Sequence, residues 1–327
     1  MLEIPNGLSN DQILAWESLA SRIVTLNERA WDRRVGAEVI TSWLENFDGR
    51  TGNATADERL GALYMLSQFM YFGSREIRVL LQALYRDLFL LPLAHEVKAR
   101  TGSVSDFNSE MNSQISKTRF LGLGNPSESG VHLLYYFRQE NLLSKSDFID
   151  AAQMYKNVEV AGERRRVARY DDVERYIFID DMCGSGETAV RYSNDVLPDL
   201  LDQKPGIEVS YLCLFGTRAG MDRVRGESRF GQNAAAVFEL DESYKWCSKD
   251  SRFKAGIPVG VDPKILDSIA LTYGSGLSIH HPLGYLDGQL LLGFFHNTPD
   301  NTMPVIWADA YNGGTSWYPA FRRYPKV

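Results

Sequence analysis

The sequence predicts an α/β protein with a mainly parallel sheet, helices on both faces of that sheet, and a helical region in front of it. Between residues 8 and 100, apolar residues recur mostly at helical spacing. Two strand–loop–helix patterns follow, at 118–138 and at 176–197, and a third apolar run covers 207–215. Strands that alternate with helices favour right-handed crossovers, which place the strands parallel.

Residues 1–105 form the predicted helical N-terminal region, and residues 106–327 form the predicted α/β domain with a C-terminal hood. A cap at Ser9 or Asn10 precedes a set of apolar residues at helical spacing. The further helices are predicted over 32–47, 56–70 and 74–100. The N-terminal region contains no catalytic grouping, and we interpret it as a helical cap or an interaction module.

The composition is that of a soluble globular protein. The 327 residues carry a formal net charge of −7, which argues against broad nucleic-acid binding, because proteins that bind nucleic acid usually carry a basic surface. No apolar run reaches the length of a membrane span, and no signal-peptide pattern opens the sequence. Cys183, Cys213 and Cys247 lie far apart, as expected for reduced thiols. We therefore expect a cytoplasmic protein without membrane association.

One stretch, 176–188, carries the strongest functional signal. An apolar run that is typical of a buried strand ends at two adjacent carboxylates, Asp180 and Asp181. A glycine-containing loop follows, and a helical pattern begins near Glu187. Such a junction favours phosphate binding, because backbone N–H groups converge at a helix N-terminus and the helix dipole attracts an anion. The predicted phosphate-binding residues are Gly184, Ser185, Gly186, Glu187 and Thr188.

Two carboxylates beside a phosphate site require a further partner, because they would repel the phosphate. Carboxylate oxygens accept hydrogen bonds from sugar hydroxyls and are also hard ligands for a divalent cation. A sugar phosphate that carries Mg²⁺ meets both requirements. We therefore expect Mg²⁺ as the cofactor, bound through Asp180 and Asp181.

The order of these residues resembles the signature that binds phosphoribosyl pyrophosphate (PRPP) in the phosphoribosyltransferases: an apolar strand, Asp-Asp, two apolar residues and a small loop that ends in Gly-x-Thr. The resemblance implies a sheet of the phosphoribosyltransferase type. It also implies that Asp180 and Asp181 are the catalytic carboxylates, which contact the ribose hydroxyls, and that the loop holds the 5′-phosphate. Gly184 departs from the pattern, because many members have Thr or Ser there, and one side-chain donor is therefore absent.

A second strand–loop–helix unit precedes this signature. Its loop, 125–130, is expected to face the same crevice, because ligands collect at the carboxyl ends of strands in open α/β sheets. The resemblance implies that this loop receives pyrophosphate through Ser127, Ser129 and Gly130. Arg138, in the helix that follows, is a candidate partner for the same group.

A cluster of arginines, Arg164, Arg165 and Arg166, lies between the two units. One interpretation is a solvated charged face. The other follows from the resemblance, in which a mobile loop before the signature strand closes over the active site. A basic lid there would neutralise pyrophosphate and exclude water. After the signature, the strand at 207–215 places Thr217 or Arg218 near the same crevice.

The densest polar and aromatic grouping lies near the C-terminus and includes His296 and Asn297. Structural histidines and loop hydrogen bonds are one interpretation. Together with Trp307, Trp317 and Tyr318, the grouping could instead form a pocket for a flat base. Metal binding by the histidines is disfavoured, since no acidic or cysteine partner stands at ligand spacing.

Three segments together are similar to one group, the phosphoribosyltransferase-like domain of bacterial conflict systems (PRTase-CE). They are the signature at 180–187, the segment 129–138 and the segment 295–304. The resemblance covers most of the chain and implies an association with anti-phage operons, including retrons that encode a reverse transcriptase. It therefore implies a defence-system partner, either a reverse transcriptase or a nucleoprotein.

Three functional hypotheses follow. The first is an enzyme that binds PRPP or a related ribose phosphate with Mg²⁺ and transfers or cleaves at the anomeric carbon, as an effector in anti-phage defence. The alternative is a catalytically silent protein that senses a nucleotide, or acts as a scaffold, through a retained phosphate-binding loop. The third is that the arginine cluster and the helical region dock a nucleoprotein partner.

Overall fold

The chain divides into two compact units. The computed structural model describes residues 2–124, 129–160, 162–311, 314 and 316–324. Unit 1 consists of Met1–Ile77 together with Asp241–Val327, and unit 2 consists of Arg78–Leu240. Each unit has its own hydrophobic core.

Helices and short strands make up most of both units. In chain order the helices are α1 (Asn10–Arg29), α2 (Ala37–Glu45), α3 (Thr55–Ser67), α4 (Ser74–Ala83), α5 (Leu91–Arg100), α6 (Val104–Ser116), α7 (Ser129–Glu140), α8 (Glu187–Val196), α9 (Pro198–Gln203), α10 (Arg218–Glu227), α11 (Pro263–Leu277) and α12 (Pro304–Trp307). The strands are β1 (Met70–Phe72), β2 (Thr118–Gly122), β3 (Tyr155–Val160), β4 (Glu163–Ala168), β5 (Arg175–Cys183), β6 (Glu208–Thr217), β7 (Ala234–Leu240) and β8 (Leu292–Phe294). A π-helical segment, Leu84–Leu90, joins α4 to α5. Across the described ranges, no helix combines the length and the apolar character that a bilayer crossing needs.

Helices build most of unit 1. Helices α1 and α11 both pack on α3, where Gly61 permits close contact, because a Cβ atom there would lie 2.7 Å from the Ile269 side chain. Strand β1 pairs in parallel with β8. Aromatic rings fill the core, and Phe47 packs edge-on against Tyr273 and Trp317 at centroid distances of 5.0 and 5.4 Å. The core of unit 1 therefore combines residues from both of its chain segments.

A buried carboxylate fixes the loop between α2 and α3. Glu58, in α3, is 0% exposed. It accepts hydrogen bonds from the backbone N–H groups of Gly49 and Thr51, each at 2.7 Å, and from the hydroxyls of Thr51 and Tyr273. Four donors offset the cost of burying this polar group, and they hold the loop against α3 and α11.

A four-stranded parallel sheet forms the centre of unit 2, in the order β2-β5-β6-β7. Residues Arg175 to Ile179 of β5 are all buried, so both faces of this strand are covered. On one face, Phe178 packs against Tyr192 of α8. On the other face, Phe120 of β2 packs against Phe137 of α7. The predicted class, a mainly parallel sheet with helices on both faces and helices before it, is confirmed.

Arg175 ties the helices that precede the sheet to the sheet itself. Its side chain is 10% exposed, and it contacts Glu208 of β6 at 2.7 Å and Glu96 of α5 at 3.1 Å. It also donates a hydrogen bond to Gln114 of α6. Helices α5 and α6 are therefore part of unit 2.

The two compact units differ from the predicted division into 1–105 and 106–327. Helix α5 falls in unit 2 because of the Arg175 contacts, although the prediction assigned it to the N-terminal region. Residues 241–327 fall in unit 1, because they share a hydrophobic core with the N-terminal helices. No local pattern in the sequence indicates that the chain returns to its first helices.

Replacing Glu58 with glutamine tests the buried anchor of unit 1. Glu58→Gln places an amide N–H₂ group among donors, so hydrogen bonds are lost and a donor faces a donor. We expect the free energy of unfolding, measured by chemical denaturation, to fall by about 2–4 kcal/mol. Glu17→Gln changes an exposed glutamate of α1 and should alter it by less than about 0.5 kcal/mol. Equal stability of the two variants would contradict the role of Glu58.

Candidate functional site

The candidate site lies where β5 ends and α8 begins. The loop Gly184–Gly186 joins the two elements. Gly186 is the N-cap residue of α8 and has a φ of 73°, a left-handed conformation that glycine adopts without strain. The N-terminus of α8 therefore stands at the carboxyl edge of the parallel sheet, where ligands bind in α/β proteins. The N–H groups of its first turn are the donors that a phosphate would use.

The Thr217 hydroxyl and the backbone at the start of α10 contact this loop. The Thr217 hydroxyl, at the end of β6, donates to the Gly184 carbonyl at 2.5 Å and accepts from the Gly220 N–H at 2.9 Å. A Cβ atom on Gly220 would lie 2.2 Å from the Gly184 carbonyl oxygen, and one on Gly186 would lie 2.5 Å from the Gly220 carbonyl oxygen. Glycine at 186 and 220 is therefore required for this contact between two backbones.

The two carboxylates of the signature have different environments. Asp180 is partly buried and accepts from the Asp181 backbone N–H at 2.9 Å and from the Tyr211 hydroxyl at 3.0 Å, with one bond to each carboxylate oxygen. Asp181 is 7% exposed. Burial, and then the neighbouring charge of Asp181, raise the pKa of Asp180 well above its usual value. Asp180 therefore keeps its proton at pH values where an exposed aspartate has lost it.

Tyr211 is a site residue that the sequence did not single out. It lies in β6, it is 1% exposed, and its ring stacks on Phe230 at a centroid distance of 5.6 Å. Burial raises the pKa of Tyr211 above its usual value and the pKa of the Cys183 thiol to about 12, so both groups stay neutral. In the sequence Tyr211 is one residue of an apolar run, and nothing there indicates that its hydroxyl meets Asp180.

The remaining signature residues surround the start of α8. The Ser185 hydroxyl accepts a long hydrogen bond from the Glu187 N–H at 3.4 Å. Glu187 and Thr188 are exposed in the first turn, where a carboxylate suits the helix dipole and a hydroxyl can donate to an anion. The structure thus brings the predicted phosphate-binding residues and the acidic pair together at one edge of the sheet.

The predicted pyrophosphate loop is described only in part. Ser127 lies outside the described residues, and Ser129 and Gly130 are the first two residues of α7. Arg138 lies in the last turn of α7, about 13 Å along the helix axis from its start. Its guanidinium is 6.0 Å from the centre of the Tyr135 ring. A role for Arg138 in pyrophosphate binding therefore stays a prediction.

The arginine cluster lies on an exposed antiparallel hairpin formed by β3 and β4. Arg165 pairs with Glu163 at 3.2 Å, and Arg166 pairs with Asp199 at 3.5 Å. Arg164 is exposed in the same strand. Because two of the three arginines have acidic partners, this hairpin is less basic than the sequence alone indicates.

The predicted base-pocket residues belong to unit 1, whereas the signature belongs to unit 2. His296 and Asn297 line a cavity of about 460 Å³. The Asn297 side-chain oxygen accepts from the backbone N–H groups of Thr298 and Tyr324, at 2.9 and 3.0 Å. Asn297 therefore fixes two chain segments that border the cavity.

Mg²⁺ binding by the acidic pair stays a prediction. Among the described residues, no group of three or more His, Cys, Asp or Glu side chains could hold a metal ion. Both carboxylate oxygens of Asp180 already accept hydrogen bonds within unit 2. Mg²⁺ is often held by one or two carboxylates together with substrate phosphates and water. A cation here would therefore depend on Asp181 and on the substrate, or on loss of the Asp180 proton.

Gly220→Ala should disrupt the contact between the loop and α10, because its Cβ atom would overlap the Gly184 carbonyl. We expect the free energy of unfolding, measured by chemical denaturation, to fall by about 1–3 kcal/mol. Gly226→Ala is the matched control in the same helix, because a Cβ atom there has nothing within 4 Å. Its stability should be unchanged or rise by up to about 1 kcal/mol. Equal losses in both variants would show that the loop contact is not the cause.

The raised pKa of Asp180 predicts a pH-dependent stability. The folded state holds this proton more tightly than the unfolded state does, so stability falls as pH rises from the usual aspartate pKa of 3.8 up through the folded-state pKa. The limiting slope for one proton is about 1.4 kcal/mol per pH unit. Asp180→Asn has no such proton, so its free energy of unfolding should not show this fall. The difference in stability between the variant and the parent should therefore shift in favour of the variant between about pH 5 and about pH 8, as measured by chemical denaturation at each pH.

Asp202→Asn, at an exposed position of α9, is the control and should follow the parent at every pH. A constant difference in stability between the parent and Asp180→Asn would contradict the raised pKa.

Comparisons with solved structures return weak global similarities. A xanthine-guanine-hypoxanthine phosphoribosyltransferase of Helicobacter pylori is 12% identical, with a TM-score of 0.24 over 43% of this chain and 86% of that chain. A hypothetical protein of Neisseria gonorrhoeae with bound ppGpp is 9% identical, with a TM-score of 0.27 over 54% of this chain and 86% of that chain. The adenine phosphoribosyltransferase of Trypanosoma brucei, in complex with AMP, pyrophosphate and ribose-5-phosphate, is 18% identical, with a TM-score of 0.23 over 38% of this chain and 56% of that chain. These values are too low to support a functional argument.

The comparison with protein families identifies one family. No match to a curated protein was found. The sequence matches one family, PRTase-CE, over residues 40–323. This range includes the signature of β5 and α8 and extends through most of both units. The chain therefore belongs to the phosphoribosyltransferase-like PRTase-CE family, as its motifs indicated.

Proposed function

We propose that unit 2 binds PRPP, or a related ribose phosphate, together with Mg²⁺ and acts at the anomeric carbon by transfer or cleavage. The observation that carries the proposal is the loop Gly184–Gly186. This loop is held against Gly220, it opens the N-terminus of α8, and it follows Asp180 and Asp181 directly. Potential phosphate donors and two acidic groups thus lie within one strand–loop–helix junction.

Each part of the junction has a distinct role in the proposed complex. The first-turn N–H groups of α8, with the hydroxyls of Ser185 and Thr188, would hold the 5′-phosphate. Asp180 and Asp181 would contact the ribose hydroxyls. A neutral Asp180 both donates and accepts hydrogen bonds, which suits a hydroxyl partner.

The proposed reaction breaks the bond between the anomeric carbon and the pyrophosphate oxygen, and the bonding electron pair leaves with pyrophosphate. A nitrogen of the acceptor, or water, supplies the new electron pair to the same carbon. Positive charge grows on the sugar ring in the transition state, so positioning and electrostatic stabilisation provide most of the catalysis. Mg²⁺ would neutralise charge on pyrophosphate. Pyrophosphate binding by Ser127, Ser129 and Gly130, and a lid at Arg164–Arg166, stay predictions.

The second candidate function is a sensor or scaffold that binds a nucleotide without turnover. Two observations favour it. Both oxygens of Asp180 accept hydrogen bonds inside unit 2, so the ribose would have to compete for them. Gly184 also lacks the hydroxyl that many phosphoribosyltransferases have at this position. The family resemblance suggests an effector in anti-phage defence with a reverse transcriptase or nucleoprotein partner. Either function would fit that role. Co-purification of such a partner would test it.

Turnover is the test of the enzymatic proposal. The protein is incubated with PRPP, Mg²⁺ and a panel of nucleobases and nucleotides, and released pyrophosphate and new nucleoside products are measured. We expect the parent to release pyrophosphate. Asp181→Asn should lose at least about 100-fold of this activity, because it removes a charge beside the reacting sugar. Asp202→Asn, exposed and outside the site, should retain full activity.

Melting temperatures of the variants, measured with and without PRPP, separate loss of folding from loss of function. If the parent forms no product while PRPP still raises its melting temperature, the enzymatic proposal is wrong and the sensor is supported. If neither PRPP nor any nucleotide of the panel causes turnover or stabilisation, both functions at this site are contradicted.

A further inference from the structure

Unit 1 contains the cavity of about 460 Å³ that His296 and Asn297 border. The loop around 294–298 and the C-terminal segment 318–324 form most of its lining. Small-molecule sites typically have volumes of about 300–1,000 Å³, so this cavity is large enough for a ligand. The signature residues of the proposed PRPP site belong to unit 2, and none of them lines it.

Aromatic rings form the inner wall of the cavity. Phe321 is 6% exposed, stacks on Phe69 at a centroid distance of 4.4 Å and lies 5.2 Å from the Tyr71 ring. Phe294 is 3% exposed and stacks with His296 at 5.5 Å. Rings that are held by other rings present fixed aromatic faces, which suits a flat aromatic ligand.

Two exposed tyrosines stand at the rim on an anchored backbone. Tyr318 is 58% exposed and Tyr324 is 64% exposed. Asn46 accepts from the Tyr318 N–H at 3.1 Å and donates to the Tyr318 carbonyl at 2.9 Å. Asn297 accepts from the Tyr324 N–H at 3.0 Å. Because these backbones are already fixed, a ligand that stacks on the rings would lose less binding energy to ordering.

Two arginines give the cavity positive charge. Arg34 donates to the Phe295 carbonyl at 2.6 Å and to the Tyr71 hydroxyl at 3.3 Å, while its Nη1 group makes no hydrogen bond to any residue that the structure describes. Arg322 is exposed on the same lining, and Glu38 contributes one carboxylate. The forked donors of arginine match a phosphate group. Asp32 and Glu76 also act electrostatically on Tyr71 of this lining, so the site disfavours a triphosphate relative to a ligand with a single phosphate.

We propose that this cavity binds a nucleoside monophosphate, with its base against the aromatic wall and rim and its phosphate on Arg34 and Arg322. A neutral flat ligand would use the rings but not the arginines, and free phosphate would use the arginines but not the rings. Glu38 can accept hydrogen bonds from ribose hydroxyls or from an amino group of the base. Asn297 supports the wall, since its side-chain oxygen already accepts two backbone N–H groups.

The test measures binding of AMP, GMP, CMP and UMP to the full chain by isothermal titration calorimetry, with the four nucleosides and inorganic phosphate as partial ligands. We expect at least one monophosphate to bind, and its nucleoside and phosphate alone to bind at least about tenfold more weakly. Tyr318→Leu removes an exposed ring and should weaken binding by about five- to hundredfold. Arg34→Gln removes a positive charge and should weaken binding at least about tenfold.

Two control variants change the same residue types outside the cavity. Arg33→Gln and Tyr135→Leu alter an exposed arginine and an exposed tyrosine that do not line it, and both should bind as the parent does. Asp181→Asn changes only the proposed PRPP site in unit 2, so it should retain the binding that Tyr318→Leu and Arg34→Gln weaken, and failure of the two proposals is distinguishable. The proposal is wrong if no monophosphate binds, or if the nucleoside binds as tightly as its monophosphate. It is also wrong if Asp181→Asn abolishes binding while Tyr318→Leu leaves it unchanged.

Discussion

The contact between two stretches of backbone, the loop Gly184–Gly186 and the start of α10, is the constraint on which the candidate site depends. Side chains at 186 or 220 would separate these stretches, and the N-terminus of α8 would move away from the end of β5. The Thr217 hydroxyl completes the contact, because it donates to one stretch and accepts from the other. Strands β5 and β6 are paired up to Cys183 and Gly216, immediately before the loop and before Thr217. The register of the sheet therefore determines where the donors of α8 stand.

Asp180 shows how a neighbouring strand changes the chemistry of a carboxylate. The Asp180 carboxyl group meets the side chain of Asp181 and the hydroxyl of Tyr211. Strand β6 contributes Tyr211, which is 1% exposed and whose hydroxyl donates to the Asp180 carboxyl group. The result is an acid that favours its neutral form, and such a group can offer a proton to a hydroxyl or to a departing oxygen.

The sequence predicted those parts of the site that are contiguous in the chain. Three features follow each other along the chain: the apolar strand, the carboxylates at its end and the helix that begins at Glu187. The spacing of apolar residues and a few residue types are enough to predict them. Tyr211 and Gly220 complete the site from the next strand and helix, and only strand pairing brings them there. The resemblance assigns Arg138 to pyrophosphate, and this stays a prediction, because most of the loop lies outside the described residues. The division into units could not be predicted from local patterns, because residues 241–327 share a core with helices that are distant in sequence.

The split composition of unit 1 also has a consequence for biosynthesis. Met70 of β1 pairs with Leu292 of β8. All of unit 2 is therefore synthesised after β1 and before its partner strand. Unit 2 is one continuous segment and can fold as it leaves the ribosome, whereas contacts between distant segments form slowly. Until then, Trp31 lacks its contact with Phe321 and Trp43 lacks its hydrogen bond to the Val305 carbonyl, although both are buried in the finished core. The nascent chain therefore carries an exposed apolar surface for most of its translation, and chaperones that bind such surfaces would act on the first 77 residues.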